Sequence, residues 1–170
     1  YLKRDVSLDE ETILSVKLAL LDTIGCIFNA ASSSQPVSFA TTGQYSEIGN
    51  PFELSKNITD PRDLGKFFTT LIRWYDYNDT FLAKEWAHPS DNIGTSLSYF
   101  MSNGGSFKEF SESIVRTYEI QGSLSIGTSL NKEGYDHVFF VKIASGAIYA
   151  SLLSKGNEEI IRRTINNILL

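Results

Sequence analysis

The stretch "SLDEETILSVKLALLDTIGCIFNA", residues 7–30, decides the fold class. Ser7 followed three residues later by Glu10 has the form of a capping box, in which two side chains satisfy two amides that a helix start leaves unpaired. Behind it Ile13, Val16, Leu20, Ile24 and Ile27 recur at spacings of three and four, which places them on one stripe of a helix over residues 8 to about 30. Cys26, the only cysteine, lies inside that apolar pattern and reads as a small packed side chain. A lone cysteine allows no disulfide within the chain, so the expected compartment is cytoplasmic.

The same signals recur outward from this helix. "ASSSQP" ends it, and residues 32–59, rich in Ser, Thr, Gly and Asn, read as a long surface connection. Asp60 before Pro61 is a cap and first-turn pair, and Leu64, Phe67, Phe68, Leu71 and Ile72 give the next helix an apolar face. Another helix begins near Ser90 or Asp91 and stops at "NGG", 103–105. Ser106 and Glu109 form a second capping box ahead of the stripe Phe107, Phe110, Ile114 and Tyr118, and 123–135 reads as loop. "HVFFVKIASGAIYASLL", 137–153, is apolar on all sides and predicts a central helix. Asn157 caps a last helix carrying Ile160, Ile161, Ile165 and Ile168. Alternating strand patterns are nearly absent, so the expected fold class is all-α, in one helical domain over 1–170.

Composition narrows the function. A length of 170 residues suits one domain with a real core, and 42% hydrophobic with 21% charged residues is ordinary for a globular protein. A net charge of -5 argues against nucleic acid and anionic membranes as partners, because both require a basic face. No run of membrane-spanning length and no secretory signal is read. The chain starts at Tyr1 and closes on the apolar "INNILL", which gives the expectation of a sequence cut in mid-helix.

The chemistry concentrates in "YDYNDTFLAKEWAHPSDN", residues 75–92, where Asp76, Asp79, Glu85, His88 and Asp91 are interleaved with large aromatics. Such a mixture points to a lined cleft in which burial shifts carboxylate and imidazole pKa values. If this stretch continues the preceding helix, Asp76 and Thr80 share a face. Only two histidines occur, His88 and His137, each close to an aspartate at a helix start. A carboxylate fixes the tautomer of a histidine and favours its protonated form, which suits proton transfer. Capping or core hydrogen bonding is the plainer role, and the residues alone leave both open. Arg73 and Lys84 are the nearby cations. No ligand spacing suggests a metal, and no phosphate loop or cofactor motif is present.

"RWYDYNDTFLAKEWAHPSDNIG" (73–94) resembles the hallmark segment of the MmgE/PrpD family, and three more stretches agree in order: "KLALLDTIGC" (17–26), "YEIQGSLSIGTSLNKEGYDH" (118–137) and "VKIASGAIYASLL" (141–153). The resemblance implies the family's large helical domain without its C-terminal α/β domain, a homodimer, and a lyase that removes water from 2-methylcitrate or a similar di- or tricarboxylate in propionate breakdown, with no cofactor. It carries the family's site onto Asp76, Thr80, His88 and His137. His88, His137 and Asp76 are the expected catalytic groups, and Thr80, Asp79 and Asp91 the expected substrate contacts. The competing expectation is a truncated, inactive member that serves as a helical dimerisation module.

Overall fold

Asp9, not Ser7, starts the first helix. The computed structural model describes residues 1–170 apart from Lys3, and in it α1 spans Glu10–Ala31. The Asp9 carboxylate accepts a hydrogen bond from Thr12 N at 2.8 Å, and that bond holds its pKa below the usual value. Ser7 offers only a neutral hydroxyl, whereas an aspartate followed by Glu10 and Glu11 also matches the positive end of the helix dipole. The expected Ser7–Glu10 capping box is therefore corrected to an Asp9 cap.

The expected stripe on α1 is partly right. Val16 and Ile27 are buried, with Thr23, Cys26 and Ala30 beside them, but Ile24 is exposed. Leu14, Leu18, Leu21 and Phe28 also stand exposed on this helix. An apolar helix fits the 3.6 period on more than one side, so periodicity does not choose the buried one. By length and a mean hydropathy of 1.6, α1 is also long and apolar enough to cross a membrane, contrary to the expectation of no such run. Here one side of it packs on the core.

Residues 32–59 are not a plain connection. They contain α2 (Ser34–Ala40) and α3 (Pro51–Ser55). Val37 and Ala40 of α2 are buried, and α2 packs against α1 and the helix at Pro61–Arg73. Helices this short repeat too few times to show a period. Asp60 caps α4 (Pro61–Arg73) by accepting from Arg62 N at 2.8 Å, and Leu64, Phe67, Phe68, Leu71 and Ile72 are all buried as expected. A 3-10 turn, Pro89–Asn92, leads into α5 (Ile93–Asn103), which ends at Gly104 with φ of 73°. The α4–α5 crossing depends on Gly94, where a Cβ would lie 2.7 Å from Thr69 N.

The Ser106–Glu109 capping box forms at the head of α6, Phe107–Gly127. This helix runs past residue 123, where the sequence predicts a loop, because its buried face there is polar: Gln121, Gly122 and Ser125. The loop proper is 128–136. Then α7 (Val138–Leu153) packs against α5, α6 and α8 (Glu158–Leu169), the last capped by Asn157. Among the described residues there are eight α-helices and no strand, only an isolated bridge between Phe81 and Ala87. The protein is all-α.

Candidate active site

The helix α4 stops at Arg73, and Asp76 reverses the chain with φ of 57°, a left-handed conformation that aspartate tolerates better than most residues. The helical pairing of Asp76 with Thr80 therefore does not arise, and Thr80 is exposed in the loop beyond. Phe81 and Ala87 exchange backbone hydrogen bonds of 2.8 and 3.0 Å. That bridge pinches off 82–86 and delivers His88 to the head of the 3-10 turn.

Asp79 organises this loop. Its Oδ1 accepts from Ser90 N at 2.9 Å, its Oδ2 accepts from the Tyr118 hydroxyl at 2.8 Å, and its carbonyl faces His88 Nδ1 at 2.6 Å. A carbonyl only accepts, so Nδ1 of His88 carries the proton. The other ring nitrogen, Nε2, is 3.6 Å from Asp76 Oδ1. Asp76 in turn pairs with Arg73 at 3.1 Å. Burial beside the Asp79 carboxylate pushes the Tyr118 hydroxyl pKa far up, so it stays a donor.

Asp91 is buried behind His88. Its Oδ1 accepts from Asn78 Nδ2 at 3.0 Å, and its Oδ2 lies 3.9 Å from the Arg73 guanidinium. Burial raises its pKa to about 6, against the opposing pull of Arg73, Asn78 and His88.

His137 arrives from the other side, at the start of α7. Its Nδ1 is 3.0 Å from Asp136 Oδ1, which also accepts from Val138 N at 3.0 Å. The Trp86 ring lies over it, with centroids 4.0 Å apart, and meets His88 edge-on at 5.3 Å. The two imidazole centroids are 5.8 Å apart. Burial lowers the His137 pKa, and Arg73 and His88 add to that effect while Asp136 and Glu85 oppose it. Nε2 of each histidine is buried without a hydrogen bond among the described residues.

Of the residues singled out from sequence, Asp76, Asp79, His88, Asp91 and His137 thus come together, and Thr80 stands at the exposed edge. Three partners escape sequence reasoning: Tyr118, Asn78 and Asp136, the last legible only as the neighbour of His137. Lys84, one of the two nearby cations, reaches away to the Gly127 carbonyl. Arg73 is the cation that faces the site. Two imidazoles this close are the groups that can remove a proton from a carbon and deliver another to an oxygen.

Residues 4–166 match the MmgE/PrpD N-terminal domain. A probable 2-methylcitrate dehydratase of Saccharomyces cerevisiae is 33% identical over 176 aligned residues, covering 94% of this chain and 33% of that protein. The 2-methylcitrate dehydratase of Escherichia coli is 34% identical over 155 residues, covering 84% of this chain and 32% of its own length. A mitochondrial 2-methylcitrate dehydratase of Yarrowia lipolytica is 33% identical over 92% of this chain. The chain spans about a third of the length of these relatives. With both histidine segments inside the matched span, this chain belongs to the MmgE/PrpD family.

Proposed function

We propose that this chain carries the acid–base groups of a 2-methylcitrate dehydratase-type lyase. The observation that carries the reading is the unequal setting of the two histidines. His137 donates through Nδ1 toward Asp136 and has a lowered pKa, so it is neutral near pH 7 with a lone pair on Nε2. That atom is the base. His88 is held at Nδ1 by the Asp79 carbonyl, while its Nε2, 3.6 Å from Asp76 Oδ1, makes no hydrogen bond and is the ring atom left to pass a proton to substrate. That ring is the acid.

The step balances with these two groups. His137 Nε2 takes a proton from the carbon beside a substrate carboxylate, the electron pair forms the double bond, and the hydroxyl on the adjacent carbon leaves with the proton of His88 as water. Charge developing on the carboxylate needs a cation, and Arg73 is the one facing the site. Thr80, exposed at the edge of the site, is the hydroxyl expected to contact a substrate carboxylate. Asp79 and Asp91, occupied by the chain itself, act by holding His88 and its turn.

The chain is incubated with 2-methylcitrate and the ultraviolet absorbance of an unsaturated product is followed. Turnover that vanishes in both His137→Ala and His88→Ala, with the fold retained, supports the reading. Turnover that survives either substitution defeats it. The exposed Leu14, Leu18, Leu21 and Phe28 on α1 support the expected homodimer, which sedimentation at several concentrations tests. The cytoplasmic expectation stands beside a relative named mitochondrial, and imaging of the tagged gene product decides between them.

A further inference from the structure

Glu85 sits in the loop pinched off by the Phe81–Ala87 bridge, where Leu82, Ala83, Lys84 and Trp86 are all exposed. Glu85 alone among these five is buried, at 1% exposure. A carboxylate leaves water at considerable cost unless the protein replaces its hydrogen bonds. Here only Oε2 is met, and not locally, while Oε1 is buried without a hydrogen bond among the described residues. Oε2 accepts from Asn131 N at 2.8 Å and from the Ser129 hydroxyl at 3.1 Å. The backbone amide of Glu85 donates to the Ser125 carbonyl at 3.0 Å. One residue of the His88 loop thus grips both the end of α6 and the 128–136 segment, whose last residue, Asp136, leads directly into His137. Its neighbour Trp86 then lays its ring on His137.

This grip joins the two segments that carry the imidazoles. His88 is fixed from its own side by Asp79 and by the Phe81–Ala87 bridge. His137 is fixed to Asp136, but the exposed loop that leads to both has its path set where Glu85 accepts from residues 129 and 131. The charged groups bearing on His137 are Asp136, Arg73, His88 and Glu85, so the anchoring carboxylate also adds to the field at the ring.

We infer that Glu85 is a positioning residue: its carboxylate ties the Ser129–Asn131 segment to the His88 loop and thereby holds His137 in reacting geometry with His88. This rests on the proposed elimination. It does not make Glu85 a catalytic residue, since it acts through the loop.

Three variants of the full chain separate reach from charge. Glu85→Gln keeps a carbonyl oxygen at the same reach, so it retains both hydrogen bonds. Glu85→Asp keeps the charge but falls a methylene short of Asn131. Glu85→Ala removes everything. The readouts are turnover of 2-methylcitrate and the ring-proton resonances of the two histidines, which are few enough to assign by His88→Gln and His137→Gln. The expected pattern is a kcat loss of about 10- to 100-fold in Asp and Ala, as for a misplacement near 1 Å, with KM altered much less. Gln recovers kcat to within a few-fold of the parent. The His137 resonances move in Asp and Ala, because the ring leaves its place under Trp86, while those of His88 stay.

An Asp variant as active as the parent, a Gln variant as impaired as Ala, or unmoved His137 resonances in a folded Asp variant would each overturn the inference. Should Ala fail to fold, the Asp and Gln pair carries the test. A parent chain without turnover removes the proposed elimination and this inference with it; an active parent with three indifferent variants removes the inference alone.

Discussion

Asp91→Asn tests whether the buried carboxylate behind His88 is held at a cost. Asp91 is 3% exposed, and burial moves its pKa from the ordinary 3.8 to about 6 in spite of Arg73 and Asn78. A folded value above the unfolded one means that the folded chain binds the proton more tightly. The stability this gives is complete below pH 3.8 and is lost as pH rises through about 6. A gap of about 2 in pKa is worth roughly 3 kcal/mol, the amount by which ionised Asp91 weakens the fold at pH 8 relative to pH 3.5. Asparagine is neutral throughout, and its Oδ1 still accepts from Asn78 Nδ2. Whatever the asparagine gains or loses in packing is the same at every pH. The difference in stability between variant and parent should therefore swing toward the variant by about 3 kcal/mol between pH 3.5 and pH 8, or roughly 6–12 °C in Tm for a domain of this size. Thermal unfolding of both proteins, followed by circular dichroism at half-unit steps of pH, measures that swing. Parallel curves, or a swing toward the parent, would refute the idea that burial holds a proton on Asp91.

Other expectations follow from the same contacts. Gly94→Ala should lower stability by about 2–3 kcal/mol in urea unfolding, because a Cβ there meets the Thr69 backbone and α4 and α5 must part; a loss under about 0.5 kcal/mol would contradict the close crossing. Tyr118→Phe should cost about 1–3 kcal/mol by leaving Asp79 Oδ2 without its donor, and kcat should fall with it as His88 loosens; unchanged unfolding and kcat would remove Tyr118 from the site. The acid limb of kcat/KM should fall below pH 6.5, since burial lowers the His137 pKa and the base is lost only when that ring takes up a proton. A midpoint above 6.5 would be against His137 as base.

Most of the helices are legible in the sequence because their ends carry their own chemistry: Asp60 with Pro61, Ser106 with Glu109, Asn157 and the glycine at 104 all cap where expected. What escapes lacks a repeating signal. The helices at 34–40 and 51–55 are too short to show a period, and α6 from residue 121 on buries glutamine, glycine and serine in place of apolar side chains. On α1 the opposite holds, since apolar residues surround the helix and the stripe does not say which side faces inward. The site divides in the same way. That two histidines near aspartates belong together is readable. That Asp79 serves Tyr118 across 39 residues, or that Glu85 serves Asn131 across 46, is not, because a side-chain bond between distant segments leaves no pattern in either.

The position of Trp86 has a use beyond chemistry. Only one other tryptophan is present, Trp74, which packs against Phe39 and the hydrophobic core. Protonated imidazole quenches indole emission far more than the neutral ring does, so the light from Trp86 brightens or dims with the protonation of the histidine beneath it. Trp86→Phe subtracts that signal and leaves Trp74 as a constant background. The protein thus carries an optical indicator for its own site, one that reports the charge of the histidines that touch Trp86 while substrate binds and leaves, with no label attached.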